Sequence, residues 1–372
     1  MMQEAARQKF KICLVSISLG KGGAERSCAL QSKMLNDLGH EVYIALLTDE
    51  VDYEYSGTLF NLGLQKKTTE NTLQRFFRLK KLRNYLLKES FDVIIDHRPK
   101  NDYSKELFYH RYVYKNLKRI YVTHSSRKDA YLTEHADKFA GIANKNAANV
   151  AVSRYIEVEV LQKAGIRHTQ TIYNAFNPIW SAASTAVPTS VANKKYLLFY
   201  GRIDDGIKDL IFLIRAFSFS NLWRENIYLL LLGDGKDKEA VKEFCTHEPS
   251  NSNIIFESFT SDPFPYIEHA LFTTLTSKYE GFPMVLTESL SIGTPVVSLD
   301  IVSGPSEVIQ SRRNGLLVPE RSIPLFADAM REMALNEKLR NFCRANAKSS
   351  VEAFSMEHIA LKWDKLLDDV LR

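Results

Sequence analysis

Short apolar runs rich in Val, Ile and Leu recur along this chain, each followed by a glycine or polar turn and then a stretch with helical periodicity. Residues 10–17 (FKICLVSI) form the first run; it is too apolar on both faces for a half-solvated strand and is predicted to be buried. The loop over residues 18–26, with Gly20, Gly22 and Gly23, opens a helix predicted to reach about Leu38. Gly39 stops that helix, and residues 42–47 make a second strand. Strand, glycine loop, helix and strand form a βαβ unit, which implies a parallel sheet. Further strands are predicted at 93–95, 120–123 and 149–152, and the series closes at 171–174. Residues 181–195 are small, polar and without period, and read as a linker. A second α/β series then starts afresh, with strands at 196–200, 227–232, 254–256, 272–275 and 296–299. The expected organisation is a first domain over 1–180, the linker, a second domain over 196–355, and a last helix over 356–372.

Length agrees with this division, because 372 residues exceed one ordinary core. The longest apolar run, 227–232, falls far short of the roughly 20 residues that span a bilayer. The first ten residues lack a signal-type apolar segment, so a cytoplasmic location is expected. Four scattered cysteines (Cys13, Cys28, Cys245, Cys343) have no metal-type spacing and are expected as buried free thiols. Charge changes the picture more. Residues 1–185 carry 28 Lys+Arg against 19 Asp+Glu, the remainder 21 against 25, and 17 basic against 6 acidic residues fall between 66 and 128. Much of this excess lies on an amphipathic helix over 71–90. There Leu73, Phe76, Phe77, Leu82, Tyr85 and Leu86 fall mostly on one side and Arg75, Arg78, Lys80, Lys81, Arg83 and Lys88 elsewhere. The apolar side is expected to cover the sheet, and the outer face suits an anionic membrane surface. The charge is there for nucleic acid as well, but no recognition module accompanies it, so no nucleic-acid partner is expected.

Candidate chemistry gathers where predicted strands end. Residues 278–299 read as a loop, an apolar helix and a strand, with Glu280 in the loop and Glu288 in the helix; solvated surface acids are the plain alternative. Such an arrangement places a helix N-terminus beside a carboxylate. The glycine loop lets backbone approach a phosphate, though its spacing is neither a dinucleotide fingerprint nor a P-loop. His97 and His124 follow predicted strands, His97 reading as a polar loop residue. Arg202 and Lys208 follow the first strand of the second series. Two cations suit a diphosphate, and carboxylates suit sugar hydroxyls. Nothing resembles a metal cage, so no metal or cofactor is expected, and Arg202 and Lys208 are left to neutralise phosphate.

The motifs GKGGAER (20–26), GRIDDGIK (201–208), LLGDGK (231–236), EGFPMVLTE (280–288), IGTPVVS (292–298), SGPSEVI (303–309) and NGLLVPE (314–320) stand in order over nearly the whole chain. In them the chain resembles the retaining glycosyltransferases of family 4, also called glycosyl transferases group 1, with their paired glutamates eight positions apart. The resemblance implies an α/β chain of GT-B fold, two Rossmann-like domains facing across a cleft, with the final helix crossing back to the first domain. It implies that Glu288 binds the donor ribose and that Glu280 meets the transferred sugar. The backbone of Gly281, Phe282, Pro283 and Met284 would support sugar and phosphates, and Arg202 and Lys208 would hold the diphosphate as leaving group. Gly22 and Gly23 would approach the phosphate and acceptor side, and His124 would lie near the donor sugar. The base would lie against residues 256–260. One departure stands out: the family often has Lys-Gly where this chain has Lys208-Asp209, and Asp209 is expected to point outward at a helix start.

The implied reaction is metal-independent, front-face transfer of a hexosyl or N-acetylhexosaminyl unit from a nucleotide diphosphate sugar, UDP-linked, to a lipid-linked or surface-polysaccharide acceptor. The partners are then the nucleotide sugar donor, a glycan or glycolipid acceptor, and the anionic inner face of the cell membrane, where the protein would be peripheral. Transfer to a soluble sugar, and a non-catalytic sugar-nucleotide-binding subunit, are the competing readings.

Overall fold

Each ladder between the strands named below is parallel, so every neighbour is reached by a crossover connection rather than a tight hairpin. The computed structural model describes residues 8–20, 22–66, 70–176 and 186–372. The chain forms two compact units, Met1–Ala175 with Met356–Arg372, and Phe176–Ser355.

Among the described residues, unit 1 holds seven strands, β1 (Lys11–Ser16), β2 (Glu41–Leu46), β3 (Thr58–Asn61), β4 (Val93–Asp96), β5 (Arg119–Thr123), β6 (Ala148–Ala151) and β7 (Thr169–Thr171). Their order is β3-β2-β1-β4-β5-β6-β7. The short partly buried β3 was not expected; its run TLFN sits at the sheet edge and carries too few apolar residues to declare itself. The C-terminal helix Met356–Leu371 belongs to this unit and packs on the helix Gly23–Asp37. A polar contact fixes its register. Phe10 N–H donates to His40 Nδ1 at 3.2 Å, so the His40 proton is on Nε2, which faces Asp364 Oδ1 at 3.1 Å.

Unit 2 holds β8 (Lys195–Tyr200), β9 (Ile227–Leu232), β10 (Ile254–Glu257), β11 (Phe272–Leu275), β12 (Val296–Leu299) and β13 (Gly315–Val318), in the order β10-β9-β8-β11-β12-β13. Apart from the half-buried edge strand β10, its strands are largely buried on both faces, which is why runs such as 227–232 read as continuously apolar. Leu197, Phe199, Leu229 and Leu231 enter the larger core with Phe217 and Phe326, while Tyr196, Leu198, Leu230 and Leu232 pack with Phe264 and Ile267 on the other face. Of the expected linker, 181–185 lie outside the described residues, as do 177–180 at the end of the expected first domain. The rest is partly regular: Thr189–Val191 form a 3-10 turn and Lys195 already opens β8. The first unit runs to Ala175, and Phe176, which bridges to Ser355, belongs to unit 2.

The basic helix spans Thr72–Glu89 and starts with a capping box in which Asn71 and Gln74 satisfy each other's backbone amides. Its faces differ from the expected ones. Leu79, Leu82 and Leu86 are buried, whereas Leu73 and Phe77 are 62% and 56% exposed. The basic surface is also smaller than the charge count suggests, since Arg98, Lys100 and Arg119 are buried and Arg78 pairs with Glu70 at 2.8 Å.

Candidate active site

In both sheets the order reverses about one strand, so the crevice outside the carboxyl ends falls between β1 and β4 in unit 1, and between β8 and β11 in unit 2. The candidate residues lie at these two places.

In unit 1, β1 leads through Ser18 and Gly20 to the helix Gly23–Asp37, with Gly22 at its N-cap. Lys21 lies outside the described residues. A side chain at Gly23 would meet nothing within 4 Å, whereas one at Gly22 would collide with Glu25, so this helix start carries its own acid. β4 delivers His97 and β5 delivers His124, and the two rings stack with centroids 5.1 Å apart. His97 Nε2 lies 2.6 Å from Gln31 Oε1, and His97 Nδ1 lies 2.9 Å from His124 Nε2. With the Gln31 oxygen facing it, His97 is protonated on Nε2 and accepts at Nδ1 the proton of His124 Nε2. That leaves His124 Nδ1 as a buried lone pair with no partner among the described residues. Burial first, then the Lys100 charge, pushes His97 down to about 3. Burial, with His97 and Lys100 beside it, holds His124 well below the usual range too, so the pair is neutral at physiological pH. His97 is therefore more than a polar loop residue. The one sequence signal for this chain was a glutamine at position 31, among Leu30, Met34 and Leu35 on a helix face turned inward.

Behind His97 stands a buried ionic cluster. Arg98 donates to Asp96 at 2.7 Å and to both Glu106 oxygens at 3.3 Å, and its guanidinium lies 3.5 Å from the Tyr109 ring centroid. Lys100 donates to the Asp96 and Arg98 carbonyls at 2.8 and 2.5 Å. Burial alone would raise the Asp96 carboxyl, but Arg98 and Lys100 outweigh it and hold it down at about 2.

In unit 2, β8 ends at Tyr200 and leads into Gly201 and Arg202, and Arg202 is exposed. The approach to β9 is close: Gly233 has φ +150°, and a side chain there would meet the Gly201 carbonyl at 1.9 Å, so only glycine fits. The short helix Asp205–Lys208 presents Lys208, whose ammonium donates to Glu280 Oε1 at 2.5 Å; Ser277 donates to the same oxygen at 2.7 Å. Glu280 follows β11, and the helix Met284–Ile292 begins after Pro283, which offers no capping side chain; the Leu286 amide donates to the Pro283 carbonyl at 3.0 Å. Ser303 donates to the Gly281 carbonyl at 2.6 Å, and Gly304, at φ +99°, packs so tightly on Pro283 that a side chain would approach its Cδ to 2.2 Å. Phe282 and Met284 are buried. Glu288 is the helix's fifth residue and only 1% exposed, with the Tyr200 hydroxyl 3.3 Å from Oε2. Neither acid is surface decoration. Unit 2 thus places Arg202, Lys208, Glu280, Glu288 and the start of the helix Met284–Ile292 about one switch point, while unit 1 places Gly22, Gly23 and His124 about the other.

Comparison with known proteins identifies the class to which this two-sheet α/β chain belongs. The family model described as Glycosyltransferase Family 4 matches residues 21–179, and that described as Glycosyl transferases group 1 matches 183–350. The chain belongs to these glycosyltransferases, and its fold is GT-B. A relative in Campylobacter jejuni, N-acetylgalactosamine-N,N'-diacetylbacillosaminyl-diphospho-undecaprenol 4-alpha-N-acetylgalactosaminyltransferase, is 25% identical over 94% of this chain and 97% of its own. The lipopolysaccharide 1,6-galactosyltransferase of Escherichia coli is 29% identical over 51% of this chain and 53% of its own. Among solved structures, Anabaena HepE in complex with UDP and glucose aligns with a TM-score of 0.76 at 18% identity, covering 96% of this chain and 99% of that one. The chain is a glycosyltransferase whose relatives act on lipid-linked and polysaccharide acceptors.

Proposed function

We propose that this chain transfers a hexosyl or N-acetylhexosaminyl unit from a UDP-linked sugar, with retention of anomeric configuration, to a lipid-linked or surface-polysaccharide acceptor. The observation that carries the reading is the unit 2 switch point, where two cations, two carboxylates and a helix N-terminus lie. Arg202 and Lys208 receive the diphosphate, Glu288 the ribose hydroxyls, and Glu280 a hydroxyl of the moving sugar. The Lys208–Glu280 pair suits both jobs, since an ammonium with three N–H donors keeps one on Glu280 and turns the others to phosphate. In unit 1 the His124 Nδ1 lone pair suits a sugar hydroxyl. The acceptor hydroxyl attacks the anomeric carbon on the face that the diphosphate leaves. The new C–O bond forms as the old one breaks, and the acceptor proton passes to a diphosphate oxygen. Charge grows on that diphosphate in the transition state, where fixed cations act most strongly, so no metal or cofactor is required.

The test is a panel of UDP-, GDP- and ADP-linked sugars. One UDP sugar is expected to raise Tm, because a ligand that binds the folded state stabilises it by mass action. Slow donor hydrolysis should accompany it. Binding without any turnover would make the chain a non-catalytic sugar-nucleotide-binding subunit, and no response to any donor would sink the reading.

A cytoplasmic protein held at the inner membrane face is part of the same proposal. No described helix is long and apolar enough to cross a membrane. The helix Thr72–Glu89, however, exposes Leu73, Phe76 and Phe77 beside Arg75, Lys80 and Lys81, a combination suited to anionic headgroups. Flotation with phosphatidylglycerol vesicles should exceed that with phosphatidylcholine alone, and Leu73→Ser with Phe77→Ser should abolish it. Equal flotation with both lipids would remove the charge argument.

A further inference from the structure

Asp209 occupies a position that favours glycine. It is a single left-handed residue, φ +53° and ψ +54°, between the helix Asp205–Lys208 and the helix Leu210–Ser220. Aspartate tolerates that conformation better than most side chains, but it also brings a carboxylate next in sequence to Lys208. The expected outward orientation is not what is found. The carboxylate lies 2.5 Å from Arg321 and 3.7 Å from the Lys278 ammonium, and is mostly buried.

Arg321 does more than neutralise it. The same guanidinium donates to the Thr276 carbonyl at 2.9 Å and to the Ser277 carbonyl at 2.6 Å. Thr276 in turn donates to the Lys208 carbonyl at 2.9 Å, and the Lys278 amide donates to the Ile207 carbonyl at 2.7 Å. Arg321 therefore ties the turn after Lys208 to the loop that carries Ser277, and Ser277 holds Glu280. Planar guanidinium geometry suits three fixed acceptors in a way that a lysine ammonium does not. Arg321 lies one residue beyond the NGLLVPE motif and stands in none of the resemblance motifs.

We infer that Arg321 is a positioning residue for Lys208 and Glu280, and that it keeps the Asp209 carboxylate from competing with phosphate for Lys208. The inference rests on reading unit 2 as the nucleotide-sugar site. Without Arg321, two loop carbonyls lose their donor and an acid is released beside the phosphate-binding lysine. Asp209→Gly keeps the left-handed turn at no steric cost and removes that acid.

The test uses the full chain with UDP as probe, in Arg321→Ala, Asp209→Gly and the double variant. Arg321→Ala should weaken UDP about tenfold or more, the scale of a lost charge-assisted hydrogen bond. Asp209→Gly alone should stay close to the unsubstituted chain, and the double variant should recover the part of the loss that the freed acid causes, while the part due to the undonated Thr276 and Ser277 carbonyls remains. A merely structural arginine would show no such rescue. Hydrogen exchange of the Lys278 amide should quicken in Arg321→Ala without any nucleotide. Unchanged exchange, unchanged UDP affinity or absent rescue would each overturn the inference. If the unsubstituted chain binds no nucleotide, the reading of the site fails instead, and the exchange measurement still decides whether Arg321 joins the two loops.

Discussion

Arg202→Ala is expected to lower kcat by about 10²–10³-fold, the usual cost of removing one fixed donor to developing charge, with donor KM changed far less. Arg202 is exposed at the end of β8, so alanine removes no packing and Tm should hold. The split follows from timing. On the proposed reading, the ground-state diphosphate charge would be shared with Lys208, while the charge that appears as the glycosidic bond breaks would need the additional cation. Steady-state kinetics with the donor found in the nucleotide-sugar panel would check this. A near-normal kcat with a raised KM would reduce Arg202 to a binding group.

Glu106→Ala is expected to cost about 3–5 kcal/mol of unit 1 stability, the range seen when one partner of a buried ion pair is deleted. Arg98, Glu106 and Asp96 are wholly buried, and Asp96 alone cannot occupy the Arg98 fork that Glu106 now meets with both oxygens. The cluster is close to neutral as it stands, two carboxylates against Arg98 and Lys100; deleting Glu106 leaves a buried excess of positive charge. Equilibrium urea unfolding would measure the loss, and a shift below 1 kcal/mol would mean that water or a neighbour replaces Glu106. The consequence reaches the candidate site, because Arg98 follows His97 directly. A loosened loop should also raise the solvent exposure of the His97–His124 pair, readable in its imidazole NMR signals as a pKa moving up toward the ordinary range.

Much of this protein was legible in the order of its residues. Runs such as 227–232 and 296–299 are apolar because a parallel strand under helices is buried on both faces, and those strands are observed at Ile227–Leu232 and Val296–Leu299. Gly233 marks a place where backbone passes the Gly201 carbonyl and Gly304 one where it packs on the Pro283 ring, and motif order was enough to indicate the family. β3 was not legible, since an edge strand needs little apolar surface to pair.

The opposite holds for partners distant in sequence. Which basic residues form a surface, that Leu73 and Phe77 turn outward while Leu79 turns in, that His97 joins Gln31 and His124, and that Asp209 meets Arg321 112 positions away depended on the packing of helices and loops. Composition and periodicity report a residue's preference for burial or for a local conformation. They do not report which charged group completes its hydrogen bonds once water is excluded, and at both switch points the tertiary structure decided that.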